Sequence, residues 1–152
     1  MPPRRAKPKA SRTDTLTASE RSQRMSLVRS KNTKPELTVR RLIHRLGFRY
    51  RLHGKELPGT PDLLFPARRK VIFVHGCFWH RHSSRKCRLA RLPKSRLEFW
   101  VPKLEQNRIR DKKQQAKLRR LGWRVLVVWE CELRDLEKLK ARTMAFLNGE
   151  AT

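Results

Sequence analysis

Three observations predict an α/β fold with a small mixed central sheet flanked by helices. Segments of helical period alternate with short strand-like runs in the order α-α-β-β-β-α-β-α. Trp123 to Trp129 is dense in Val and Leu and apolar on both faces, which predicts a central strand covered from both sides. The 152 residues are 38% apolar, enough for one modest core and not for two.

Each element has a local cause. Residues 1–15 carry Arg4, Arg5, Lys7, Lys9 and Arg12 among Pro2, Pro3 and Pro8, with almost nothing apolar. Such a segment cannot offset its ordering entropy by burial, so it reads as a disordered basic arm before a single domain at 16–148. Thr17 to Glu20 is a capping-box pattern ahead of Met25 and Val28, predicting a short helix to Arg29. Thr33 to Glu36 is a second box, with Pro35 in the first turn. Val39, Leu42, Ile43 and Leu46 then recur at helical spacing, and Gly47 stops the helix.

Phe48 to Leu52 reads as a strand. Asp62 to Phe65 and Lys70 to Val74 flank a turn at Ala67 to Arg69, which is hairpin spacing. A turn centred near Arg68 places Asp62 opposite Val74. Residues 75–97 have no clear period, and a loop of that length in a compact domain is functional or metal-pinned. Phe99 to Leu121 predicts a long charged helix, with Pro102 in its first turn and Gly122 as its stop. A last helix covers Leu133 to Leu147. Trp123 and Trp129 read as core, His44 and His53 as solvent-facing.

Composition restricts function. Lys and Arg total 39 against 13 Asp and Glu, a formal charge of +26. A domain repelling itself this strongly has a polyanion as its expected partner, nucleic acid first among them. No run approaches the ~18–20 apolar residues of a membrane span, and the basic, Pro-rich start has no apolar stretch behind it to form a secretory signal. Three cysteines in a chain read as non-secreted point to metal ligation or free thiols rather than disulfides.

Two constellations carry chemistry. Asp62, after Pro61 at the start of a strand, can hold the Mg²⁺ that phosphodiester hydrolysis uses to compensate charge; an Asp after Pro is also a common turn or cap residue. The partner strand Val71-Ile72-Phe73-Val74-His75 has neither a second carboxylate nor a lysine. A backbone carbonyl would then be the second metal contact and a histidine the base. The other constellation, Cys77, His82, Cys87 and Cys131, suits a closed tetrahedral Zn²⁺ site; the alternative is three inert cysteines and a surface histidine.

These residues carry a family resemblance. His75-Gly76-Cys77-Phe78-Trp79-His80, Leu92 to Arg96, Glu98-Phe99-Trp100, Gly122 to Cys131 and Pro58 to Asp62 resemble the very short patch repair (Vsr) DNA mismatch endonucleases of bacteria over residues 20–135. The resemblance implies a restriction-endonuclease-like fold. It implies Mg²⁺-dependent nicking of duplex DNA 5′ of the thymine in T:G mismatches left by deaminated 5-methylcytosine. It makes Asp62 and the Val74 carbonyl the Mg²⁺ contacts and His80 the general base, a task suited to an imidazole. Glu36 and His75 become supporting active-site residues, and Cys77, His82, Cys87 and Cys131 ligands of a structural Zn²⁺. Phe78, Trp79 and Trp100 become the aromatic wedge, with Met25, Arg81, Lys94 and Arg96 as further DNA contacts. The implied protein is a monomer of the bacterial cytoplasm, associated with the nucleoid, with double-stranded mismatched DNA and other mismatch-repair proteins as partners.

Alternatives stay open on the sequence. Glu36 doubles as a member of the Thr33 capping box, His75 as a strand-end residue, and His80 and His82 could exchange roles. A restriction-type endonuclease without mismatch preference, or a zinc-stabilised nucleic-acid binder without catalysis, would share much of this pattern.

Overall fold

The structure, a computed structural model, describes residues 17, 19, 20 and 31–149. The chain divides into two units, residues 1–30 and 31–152. In the first, the box at Thr17 forms. Thr17 N–H donates to Glu20 Oε2 at 2.7 Å and Glu20 N–H donates to Thr17 Oγ1 at 3.1 Å. The remainder of the helix expected there, Met25 and the basic arm lie outside the described residues.

The second unit runs α1 (Lys34–Arg45), β1 (Arg51–Leu52), β2 (Leu63–Phe65), β3 (Lys70–His75), α2 (Leu97–Arg120), β4 (Arg124–Trp129) and α3 (Leu136–Asn148). Single 3₁₀ turns occur at Pro66–Arg68, Arg88–Ala90 and Glu130–Arg134. The sheet order is β1-β2-β3-β4, with β1, β2 and β3 antiparallel neighbours and β4 parallel to β3. The mixed sheet and the order of elements from α1 onward agree with the sequence pattern. No helix among the described residues is long and apolar enough to cross a membrane.

Alternation along the strands builds two cores. Ile72 and Val74 of β3, with Leu63, Phe65, Leu126 and Val128, pack on Val39 and Ile43 of α1 and on Leu139, Phe146 and Leu147 of α3. Val71 and Phe73 face the other way, onto Leu118 of α2 and Trp123. Every residue of β3 is buried, as expected of a strand covered by helices on both faces. Truncating Ile72 or Leu118 to Ala would cost about 2–5 kcal/mol.

The structure corrects several expectations. The strand at Arg124–Trp129 is at the edge of the sheet, and β2 and β3 are the strands that lie between two partners. Apolar residues on both faces report coverage by helices above and below, which an edge strand shares with an interior one. β4 blunts its free edge with a guanidinium: Arg142 Nη1 donates to the Val127 carbonyl at 3.2 Å. The strand expected over Phe48 to Leu52 pairs only at Arg51–Leu52. Pro102 lies beyond the first turn of α2, because the helix begins at Leu97, where Phe99 and Trp100 N–H both donate to the Arg96 carbonyl. The missing N–H leaves Glu98 without its helical donor, tolerable on this exposed turn. The last helix starts at Leu136, three residues later than expected. Asp135 caps it by accepting from Lys138 N–H at 3.1 Å, while Glu130–Arg134 wind into the 3₁₀ turn.

One buried cation fastens the layers. Lys70, only 6% exposed at the start of β3, donates through Nζ to the Phe146 and Leu147 carbonyls at 2.7 and 3.0 Å, at the C-terminus of α3. Its charge meets the negative end of that helix dipole.

Candidate active site and metal centre

The ends of β2 and β3 bring Asp62 to the centre of a polar cluster. The pairing is Leu63 with Ile72, Leu64 with Val71 and Phe65 with Lys70, so Asp62 falls one residue short of the expected register, level with Phe73. The 3₁₀ turn at Pro66–Arg68, with Arg69 in the left-handed region, shifts the hairpin by that residue. The carboxylate still reaches Val74: Asp62 Oδ2 accepts from its N–H at 2.7 Å. Burial, with the Glu36 carboxylate adding to it, pushes the Asp62 pKa up to about 7 against the pull of the Val74 N–H, His80 and Arg40.

Glu36 is both cap and cluster member. Its backbone N–H donates to Thr33 Oγ1 at 3.4 Å, but its carboxylate reaches the Asn32 N–H, at 3.1 Å, rather than that of Thr33. The same Oε2 accepts from Arg40 Nη2 at 2.9 Å, one helical turn on, and both side chains are buried. His53 was expected in solvent; the structure places it here instead. Its N–H donates to the Asp62 carbonyl at 3.2 Å, and its Nε2 is 3.6 Å from Glu36 Oε2 and 3.1 Å from Arg40 Nη2. Ligand atoms of Glu36, His53 and Asp62 all lie within 4.8 Å of one another. Nothing local in the sequence marks His53 or Arg40, because the chain returns to α1 only through the β1–β2 pairing.

On the α2 side of the sheet, His75 and His80 stack face to face, with ring centroids 3.9 Å apart and planes 5° from parallel. Burial pulls the His75 pKa down to about 3, so its ring is neutral at physiological pH. His80 Nδ1 lies 2.6 Å from Asp111 Oδ2 of α2. Sequence reasoning did not find Asp111. The available sign was that it is the lone acid between Gln106 and Arg120 in an otherwise basic helix. One turn earlier, Asn107 Nδ2 donates to the Trp79 carbonyl at 3.1 Å.

The loop after β3 gathers the aromatic residues. Phe78, Trp79 and Trp100 contact one another edge-to-face, with centroids 5.1 to 5.8 Å apart. Phe99, exposed, extends the cluster against Trp100. Half-buried and part of neither core, the rings of Phe78, Trp79 and Trp100 are poorly explained as packing. Lys94 is exposed, and Arg81 and Arg96 are half-buried. A surface cleft of about 650 Å³ beside the same loop is lined by Arg81, Arg85, Arg91 and Arg108, with Glu105 held by Arg108. Met25 lies outside the described residues.

Cys77, His82, Cys87 and Cys131 each offer a ligand atom within 4.8 Å of the others. His82 Nδ1 is 3.5 Å from Cys131 Sγ, which separates His82 from His80 and allots the two histidines to different clusters. Burial pushes the Cys77 thiol up to about 12 and raises Cys131 as well. Burial also acts to raise Cys87, but hydrogen bonds from Cys77 and from the Ala90 and Leu89 N–H groups outweigh it and lower that thiol. Three soft sulfurs and one imidazole converging from a loop and a strand end are a donor set consistent with Zn²⁺. Trp129, expected in the core, is half-buried and lies flat on His82.

Comparison with known proteins agrees with this architecture. A family model described as DNA mismatch endonuclease Vsr matches residues 13–86. The type II nicking enzyme V.XorIIP of Xanthomonas oryzae pv. oryzae is 57% identical over 136 residues, covering 90% of this chain and 98% of that one. The DNA mismatch endonuclease Vsr of Escherichia coli is 43% identical over 119 residues, covering 78% of this chain and 74% of that one. Among solved structures, the catalytic domain of the homing endonuclease I-Bth0305I superposes with a TM-score of 0.53 at 19% identity, over 79% of this chain and 99% of that one. That likeness establishes the restriction-endonuclease-like fold.

Proposed function

The chain belongs to the Vsr family of DNA-nicking endonucleases, and from that membership we propose that it nicks duplex DNA 5′ of the thymine in a T:G mismatch. The substrate is the product of 5-methylcytosine deamination, and the nick starts very short patch repair in the bacterial cytoplasm. The observation that carries this reading is the adjacency of Trp79 and His80: a ring of the half-buried aromatic cluster is next in sequence to the histidine paired with Asp111.

Aromatic insertion beside a base pair costs a few kcal/mol of unstacking, less at a mispair. Phe78, Trp79 and Trp100 therefore supply the wedge, with Arg81, Lys94 and Arg96 as further DNA contacts. His80 is the general base. With Nδ1–H donating to Asp111, Nε2 is left as the acceptor for a proton of the attacking water. His75, neutral and stacked on it, fixes the plane of that ring without adding charge.

Asp62 and the Val74 carbonyl would hold Mg²⁺. Oxygen donors suit that ion, and in a strand the C=O leaves on the same side as the N–H that Val74 directs at Asp62. Bound there, Mg²⁺ supplies charge compensation at the scissile phosphate. Glu36, held by Arg40, would be a supporting active-site residue, its carboxylate close enough to Asp62 to share the ion's charge. Cys77, His82, Cys87 and Cys131 would hold a structural Zn²⁺, which ties the loop carrying wedge and base to the end of β4.

The test is nicking of T:G and matched duplexes with Mg²⁺, either strand labelled, by the parent protein, Trp79→Ala and Trp100→Ala. One cut is expected on the thymine strand, immediately 5′ of the mispaired base, and it should weaken in both variants while fold and zinc content persist. Equal cutting of matched DNA, or of both strands, would leave a nuclease without mismatch preference.

A further inference from the structure

We infer that Trp129 is a positioning residue that braces the His75–His80 pair against the Cys77–His82–Cys87–Cys131 cluster, a role that rests on His80 being the general base. Trp129 closes β4 directly opposite His75 in the parallel register. Its ring lies flat on His82, with centroids 4.2 Å apart and planes at 12°. His75 meets the same indole at 5.2 Å and 73°. His75 in turn lies flat on His80, whose Nδ1 is held by Asp111. A line of ring contacts thus runs from a member of the sulfur-rich cluster to the histidine beside the wedge.

This contact has a specific task. The loop backbone is fixed by turn bonds, His80 N–H to the Gly76 carbonyl and His82 N–H to the Cys77 carbonyl. Those bonds set where the chain passes, not how the imidazoles are turned. The His75 ring is oriented by its neighbours Phe73, His80 and Trp129. The chain is anchored where the indole leaves it, because the Trp129 backbone N–H donates to Glu132 Oε2 at 2.7 Å while Glu132 Oε1 accepts from Arg142 Nη1. A branched aliphatic side chain would fill part of the volume but offer neither a flat face to His82 nor a rigid wall to His75. The His80 ring would then lose the backing that keeps Nε2 aimed, and a misplacement of about 1 Å costs about 10²-fold in rate.

The experiment compares full-length, zinc-loaded Trp129→Leu, Trp129→Phe and His80→Ala on the T:G duplex. It measures kcat and KM together with zinc stoichiometry, thermal melting and the histidine ring C–H signals in proton NMR. Trp129→Leu is expected to keep its zinc and its KM while kcat falls about 10- to 100-fold. The His82 ring signals should move downfield as the indole ring current is lost, and Trp129→Phe should recover most of the rate. An unchanged kcat in Trp129→Leu would overturn the inference. So would a loss of rate that merely follows lost zinc or lost fold in both Trp129 variants. His80→Ala separates the levels: if it still nicks at the parent rate, the general-base reading fails and the bracing role with it.

Discussion

His80 and Asp111 are 31 residues apart in sequence and 2.6 Å apart in the fold, joined across the β3–α2–β4 crossover. The carboxylate selects the imidazole tautomer as well as its orientation, since an Nδ1–H directed at Asp111 leaves Nε2 as the acceptor. Asp111→Asn can present an amide to the same nitrogen and so favour the wrong tautomer. Nicking should fall by about 10²- to 10⁴-fold, with duplex affinity unchanged. Single-turnover nicking beside a gel-shift titration measures both, and parent-level nicking would remove Asp111 from the mechanism.

Asp62 links chemistry to stability. Asp62→Asn should retain binding and lose nicking by ~10³-fold or more. Its pKa is about 7 in the folded chain against an ordinary 3.8. Between those values the unfolded chain has released a proton that the folded chain still holds, so metal-free protein should lose stability as pH rises from about 4 to 7. Above 7 the cost is complete. Denaturant titrations of metal-free parent and Asp62→Asn across that range should diverge, the variant being the flatter, and parallel curves would contradict the burial of this carboxylate.

Removing the sulfur-rich cluster should act on the fold before the chemistry. About one Zn per chain is expected, and Cys131→Ser should lower the melting temperature and release metal more readily to a chelator. Metal analysis and thermal melting decide this. A stable, active, zinc-free protein would make these cysteines ordinary packing residues.

Lys70 offers a stability test distant from the chemistry. Lys70→Met keeps the length and the apolar stem but removes the ammonium that the Phe146 and Leu147 carbonyls accept from. The expected loss is about 1–3 kcal/mol, read as a lower urea midpoint at unchanged slope, with nicking at the parent rate.

What the sequence determined by itself was of short range. Capping boxes at Thr17 and Thr33, the helical spacing of Val39, Leu42, Ile43 and Leu46, and the apolar run before Trp129 depend on neighbours within a few residues. From Thr33 onward they place the elements nearly where they form. Asp62 at a strand start, the aromatic loop and the Cys/His set were legible for the same reason, as residue types in one segment or at one strand end. The tertiary structure alone decided the rest. A left-handed Arg69 after a 3₁₀ turn moved the hairpin register by one residue, an edge strand resembled an interior one because helices cover both faces, and His53 and Arg40, with no local mark, entered the site alongside Asp111, whose lone negative charge in a basic helix did not say what it would meet. The physical reason is distance along the chain. Periodicity and capping report forces between near neighbours, whereas a site built from α1, β2, the loop after β3 and α2 exists only once the sheet has brought its strands into register.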